Sequence, residues 1–200
     1  VACYLAIVQQ FFEKCGFSVE DMRFRELDKD ERAFYALETW DFELKTNVGW
    51  LELVACNYRG DYDLSSHSKV SGQDLSIIEN NEKFIPHVFE VSMGLDRIFY
   101  CVIERAACRR NGKPILKLPP YLAPLDAVIL PLVRKDGIDE LAFRVYENLK
   151  KHFDVKYDEK DSIGKRYLLY DEIGVPFAIT IDYDSLKNMD VTIRDRDTTK

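Results

Sequence analysis

The chain has 200 residues, 46% of them hydrophobic and 32% charged, a balance that excludes disorder and collagen-like repeats and leaves room for one or two globular domains. No apolar run approaches the ~20 residues of a membrane-spanning helix, and no basic-then-apolar leader opens the chain. The formal charge of −7 excludes a strongly basic nucleic-acid coat but not a single basic face. The five cysteines are odd in number and lack a C-x-x-C pair, so they spell neither a disulfide framework nor a zinc ribbon, and a reducing compartment fits them best.

In chain order, Val1 to Lys14 reads as a short apolar helix with Gly16 as its stop. Trp40–Lys45 and Trp50–Cys56 are strand-like and are separated by the hairpin signal Thr46-Asn47-Val48-Gly49, which implies an antiparallel sheet. Ser65 to Lys83 is polar and aperiodic and is expected to cross from one part of the sheet to another. Phe84 to Ser92 resumes a strand, and Gly94 breaks it. Leu95, Ile98, Phe99, Val102, Ile103 and Ala106 then form the stripe of an amphipathic helix.

Lys113 to Pro124 holds four prolines in twelve residues, which excludes a regular helix or a central strand and marks the domain boundary. After it come a strand at Ala127–Leu132, a helix at Ile138–Phe153, a short strand at Val155–Tyr157 and a helix at Ile163–Ile173 ended by Gly174. Strands at Phe177–Asp182 and Val191–Arg194 complete a small βαβαββ module.

The run from Phe84 to Arg97 carries the densest chemistry. As a strand, its period of two puts Glu90 and Ser92 on one face, about 7 Å apart along the backbone. A carboxylate in so apolar a run is solvated, paired or used on a ligand. Either an acid and a hydroxyl look into one site or this is an exposed strand face. Arg97 falls in the first turn of the next helix, where the macrodipole disfavours a cation, so it either faces a bound anion or is solvated beside Asp96 or Glu104. Glu52, within W-L-E-L-V-A-C, either faces a hydrated Mg²⁺ or makes a cross-strand pair with Lys or Arg. Arg59 could end on the same rim or be a surface turn arginine. Lys165, Arg166, Arg194 and Arg196, with Tyr167 nearby, could form a basic-aromatic face for single-stranded RNA, with solvated charges as the alternative. I-G-K-R-Y at 163–167 is not a P-loop, and nothing reads as a nucleophilic triad or a protein metal cage.

The order of these signals carries more than each alone. R-F-R at 23–25, Y-A-L-E-T-W-D-F-E at 35–43, G-W-L-E-L at 49–53, Y-D-L-S-S-H at 62–67 and E-V-S-M-G-L-D-R at 90–97 resemble the catalytic half of glycyl-tRNA synthetases of the archaeal and eukaryotic type. A-P-L-D-A-V-I-L-P-L at 123–132, I-G-K-R-Y at 163–167, D-E-I-G-V-P-F at 171–177 and T-I-R-D-R-D-T at 192–198 resemble the anticodon-binding domain of the same family. The chain departs from the family pattern at A-C-N-Y-R-G, residues 55–60.

The resemblance implies an α+β fold: residues 1–118 as the second half of a class II catalytic domain, an antiparallel sheet with helices, and residues 119–200 as a small mixed α/β anticodon-binding domain. It also implies a fragment, with the first two class II motifs ahead of Val1 and the last domain cut at its end. The implied activity is ATP- and Mg²⁺-dependent activation of glycine and its transfer to tRNA(Gly), by a cytoplasmic homodimer that engages neither DNA nor membrane.

By position, the resemblance assigns Glu90, Val91, Ser92, Met93, Gly94 and Arg59 to glycine. Glu52, Leu53, Gly94, Leu95, Asp96 and Arg97 go to ATP, with Arg97 toward the γ-phosphate and Glu52 toward Mg²⁺. Lys165, Arg166, Arg194 and Arg196 are expected toward tRNA. The alternatives are a non-catalytic nucleic-acid-binding relative of the polymerase accessory subunit kind, and a synthetase for proline, threonine or histidine.

Overall fold

The computed structural model of the protein describes residues 1–200, and contacts divide them into two compact units, Val1–Cys101 and Val102–Lys200. The first unit opens with α1 (Ala2–Lys14), whose Val8 and Phe12 are buried. Phe12 is fully buried and stacks on Phe42 with ring centroids 4.5 Å apart, so α1 covers one face of the sheet. That sheet has the order β1-β2-β3-β6 and is antiparallel throughout, with β1 at Met22–Glu26, β2 at Glu38–Thr46, β3 at Gly49–Gly60 and β6 at Val88–Met93.

The hairpin joining β2 and β3 turns at Thr46–Gly49, as its residues predict, and Thr46 Oγ1 donates to Gly49 O at 2.8 Å. Between β3 and β6 lie α2 (Tyr62–Ser71) and a small hairpin of β4 (Ile77–Glu79) and β5 (Glu82–Phe84). The polar 65–83 stretch, expected to cross from one part of the sheet to another, lies between the neighbouring strands β3 and β6 and carries a helix and a hairpin of its own. Its helix buries no residue, so no apolar stripe was there to announce it. The strand expected from Phe84 begins only at Val88: Phe84 belongs to β5, and Pro86, which has no N–H to give a ladder, lies between the two strands. Helix α3 (Leu95–Ala106) starts directly after Gly94, as its stripe predicts.

The second unit contains a two-stranded hairpin of β7 (Ala107–Arg110) and β8 (Lys113–Leu116), then β9 (Ala127–Pro131), α4 (Ile138–Leu149), β10 (Val155–Tyr157), α5 (Ile163–Glu172), β11 (Phe177–Ile181), α6 (Tyr183–Asn188) and β12 (Thr192–Asp195). Its main sheet has the order β10-β9-β11-β12, parallel except for β12. Successive residues of β9 point to opposite faces. Ala127 and Ile129 pack with Ile138, Leu141 and Ala142 of α4, while Val128 and Leu130 pack with Tyr170 of α5 and with Val175. Helices on both faces explain why β9 is a continuous apolar run.

The compact units part within α3, ahead of the proline-rich segment taken as the boundary. The reason is local: Gly174, at φ +86°, lets Leu118 and Leu116 come so close that a Cβ there would lie 2.8 Å from Leu118 Cδ1. Arg196 also donates to Leu118 O at 2.8 Å, and Arg110 lies 3.5 Å from Asp171, so the hairpin and the prolines after it are fastened to α5. Pro114 sits in an isolated two-stranded hairpin, where a missing N–H is tolerated.

Candidate active site

One face of the first sheet is polar although much of it is buried. The register stacks its residues in rows: Thr39, Asn57 and Glu90 in one, then Arg25, Asp41, Ala55 and Ser92, then Arg23, Glu43 and Glu52. A bulge between Phe42 and Glu43 leaves Leu53 without a partner residue and returns Glu52 to the polar face. On the opposite face Phe42, Leu44, Val54 and Cys56 are apolar and fully buried. The strand β2 is thus buried on both sides, and its acids Asp41 and Glu43 are as enclosed as its aromatics.

Buried acids require cations, and β1 supplies them. Arg23 pairs with Glu43, and Arg25 reaches Asp41 at 3.3 Å and Glu43 at 3.5 Å. The Arg23 guanidinium also lies 4.2 Å over the Trp50 ring. Burial, and after it the nearby Glu52 carboxylate, raise the pKa of Asp41. Thr39 donates to Asn57 Oδ1 at 2.8 Å, which satisfies the floor of the first row.

Of the residues singled out in the sequence, Glu52, Glu90, Ser92 and Arg97 meet on this face. Glu90 and Ser92 share it, as the period of two required. Arg97, from the first turn of α3, donates to the backbone oxygen of Glu52 at 2.8 Å and lies 3.7 Å from its carboxylate. Glu52 therefore pairs with the helix and not with a cross-strand cation. Both members of that pair stay open, with side chains 55% and 47% exposed.

Arg59 is more enclosed: it donates to Glu90 at 2.7 Å and to Asp63 at 2.6 Å, and its guanidinium lies 4.0 Å over the Tyr35 ring. These two carboxylates, Asp63 first, raise its already high pKa. Gly94, Leu95 and Asp96 are exposed at the strand-to-helix junction.

Some assignments need correction. Val91 and Met93 lie opposite Cys56 and Val54, on the apolar-facing side of the sheet, so only their backbone borders the polar face. Leu53 is 3% exposed and can likewise offer only backbone. The expected RNA face of the second unit also changes. Arg166 is 3% exposed and donates to Pro131 O and Asp158 O. Arg196, equally enclosed, donates to Gly174 O and Leu118 O. Arg194 forms a two-pronged pair with Asp171 at 2.8 Å. These arginines fasten backbone and helix instead of facing solvent. Of the four, Lys165 is exposed; it lies 3.5 Å from Asp161, and both line, with Lys156, Asp158, Lys160 and Arg166, a cavity of about 490 Å³ at the start of α5.

Arg23, Arg25, Tyr35, Asp41, Glu43 and Asp63 lie within the runs 23–25, 35–43 and 62–67 that carry the resemblance, but the sequence assigned no individual role to them. The signal for the acids was the alternation in T-W-D-F-E-L, which an exposed face would write in the same letters.

Residues 126–200 match the family described as the anticodon binding domain. The chain is 43% identical over 198 residues to a glycine–tRNA ligase of Clostridium perfringens, covering 94% of this chain and 42% of that protein. A glycine–tRNA ligase of Pyrococcus furiosus is 33% identical across 277 aligned positions, with 98% and 49% covered. Nearly the whole chain is thus similar to the corresponding part of glycyl-tRNA synthetases. The chain spans less than half the length of these glycyl-tRNA synthetase relatives. The Pyrococcus alignment is longer than this chain, so that synthetase carries extra residues within the matched span. In fold, the chain is similar to a Giardia lamblia prolyl-tRNA synthetase solved in complex with prolyl-adenylate, at a TM-score of 0.70 and 19% identity over 98% of this chain and 40% of that one. The fold is that of a class II synthetase. No helix is long and apolar enough to cross a membrane.

Proposed function

We propose that this chain supplies the second half of the active site and the anticodon module of a glycine–tRNA ligase, which joins the glycine carboxylate to the α-phosphate of ATP with release of pyrophosphate, and passes the glycyl group from glycyl-adenylate to tRNA(Gly) with release of AMP. The observation that carries the reading is the polar sheet face. An acid (Glu90), a hydroxyl (Ser92) and an open Glu52–Arg97 pair stand on successive rows, about 14 Å from first to last. That span suits an amino acid followed by a triphosphate.

In this reading Glu90 receives the glycine ammonium, and Ser92 bounds the space over Cα. Selection of glycine then rests on excluding any side chain, which a rigid wall does well. Arg97 turns from Glu52 to the γ-phosphate, where developing charge is stabilised by a fixed cation. Glu52 is the carboxylate available to Mg²⁺. No three His, Cys, Asp or Glu side chains converge into a metal-holding group, which fits an ion carried chiefly by phosphate oxygens and water. When bound, Mg²⁺ neutralises phosphate charge. The chain's own part is positioning, with the glycine carboxylate as nucleophile.

For tRNA, the lysines around the α5 cavity replace the enclosed arginines as the basic face, supported by the anticodon-domain match over 126–200. A cytoplasmic homodimer completes the reading. The accessory-subunit alternative finds no support among these relatives. ATP–pyrophosphate exchange with the full-length protein tests the proposal: exchange is expected with glycine only, and exchange driven equally by alanine or serine contradicts it.

A further inference from the structure

We propose that Asp63 and Tyr35 are positioning residues for glycine recognition, holding the Arg59 guanidinium so that it orients Glu90 without cancelling its charge. The inference rests on the ligase reading and deepens it.

Arg59 is the residue at which the β3–β6 register shifts, between the Tyr58↔Phe89 and Gly60↔Val88 pairs. Bulges of this kind re-aim a side chain. Gly60 sustains the shift at φ +58°, with Leu37 Cδ1 2.8 Å from where its Cβ would be. The re-aimed guanidinium spends one nitrogen on Glu90 Oε2 and the other on Asp63 Oδ1, while the Tyr35 ring covers its plane at 4.0 Å. The loop bearing Tyr35 is tied to the same strand end, since Leu37 N donates to Tyr58 O at 2.7 Å.

Two features separate this cluster from an ordinary ion pair. First, two carboxylates share one cation, so the group carries a net negative charge that an incoming ammonium would neutralise. With Asp63 absent, Arg59 and Glu90 would cancel and the ammonium would meet no net attraction. Second, Arg59 Nε and Asp63 Oδ2 are buried without a hydrogen-bond partner, an arrangement that stability alone does not favour. With its fork filled by carboxylates, Arg59 serves glycine through Glu90.

The test is steady-state exchange by the full-length protein carrying Asp63→Asn, Asp63→Glu or Tyr35→Leu. Asp63→Asn is expected to raise the glycine KM on the order of tenfold, the effect of one charge roughly 10 Å away, across the Arg59 guanidinium from Glu90, at an effective dielectric of about 20. Tyr35→Leu, which frees the guanidinium plane, is expected to raise it in the same direction. The ATP KM and kcat are expected to stay near wild type, and Asp63→Glu to fall between Asp63→Asn and the parent. An unchanged glycine KM in Asp63→Asn would overturn the inference. So would glycine KM, ATP KM and kcat worsening together with a lowered unfolding temperature, the signature of a merely structural role. Absence of glycine-dependent exchange in the wild type would overturn the ligase reading itself, and the inference with it.

Discussion

Arg97→Ala is expected to lower glycine-dependent ATP–pyrophosphate exchange by about two to three orders of magnitude, the usual loss when one fixed donor to a developing anion is removed. The thermal unfolding midpoint should hold. Arg97 is 55% exposed, and its pairing with Glu52 at 3.7 Å is the kind of open ion pair that contributes little to stability. Its position supports the larger effect on rate. A cation in the first turn of a helix opposes the macrodipole, and here Glu52 holds it through its backbone oxygen and its carboxylate. Near-normal exchange by this variant would remove Arg97 from the site.

Glu90→Gln should act on glycine and not on ATP. The substitution keeps shape and hydrogen-bonding capacity but removes the charge opposite the substrate ammonium. A charge-assisted bond of this class is worth about 3 kcal/mol, so the glycine KM should rise roughly a hundredfold while the ATP KM moves little. Arg59 keeps Asp63 as a partner at 2.6 Å, so the fold around β6 should survive. A glycine KM unaffected by the change would mean that the ammonium is received elsewhere.

These expectations show how far the sequence carries. Glu90 and Ser92 were legible because a strand's period of two is rigid: once Phe89 and Val91 are assigned one side, the acid and the hydroxyl must share the other. The second module was legible for a related reason. Its β9 is apolar on both sides and its α4 on one, which leaves little freedom in how they pack.

The misses have physical causes. Asp41 and Glu43 alternate with Phe42 and Leu44 in a pattern that normally announces an exposed face, and only the arginines of β1, far along the chain, reveal that both faces are enclosed. Arg166 and Arg196 look like surface cations by type. Their aliphatic stems and planar forks instead reach backbone carbonyls from within, which no local spacing encodes. Helix α2 lacks an apolar stripe and was invisible to periodicity. Arg59, expected toward glycine, has its fork on Glu90 and Asp63, an arrangement that no local spacing encodes.

In the proposed reading, one sheet face holds both the amino acid and the phosphates. The most direct measurement is a crystal structure of the full-length protein with a non-hydrolysable glycyl-adenylate analogue, with an ATP complex alongside. The ammonium should lie within hydrogen-bonding distance of Glu90, with the small Cα against Ser92, and in the ATP complex Arg97 should leave Glu52 for the terminal phosphate. An analogue bound away from the Glu90–Ser92 rows, or an ATP complex in which Arg97 stays on Glu52 while the phosphates lie elsewhere, would contradict it.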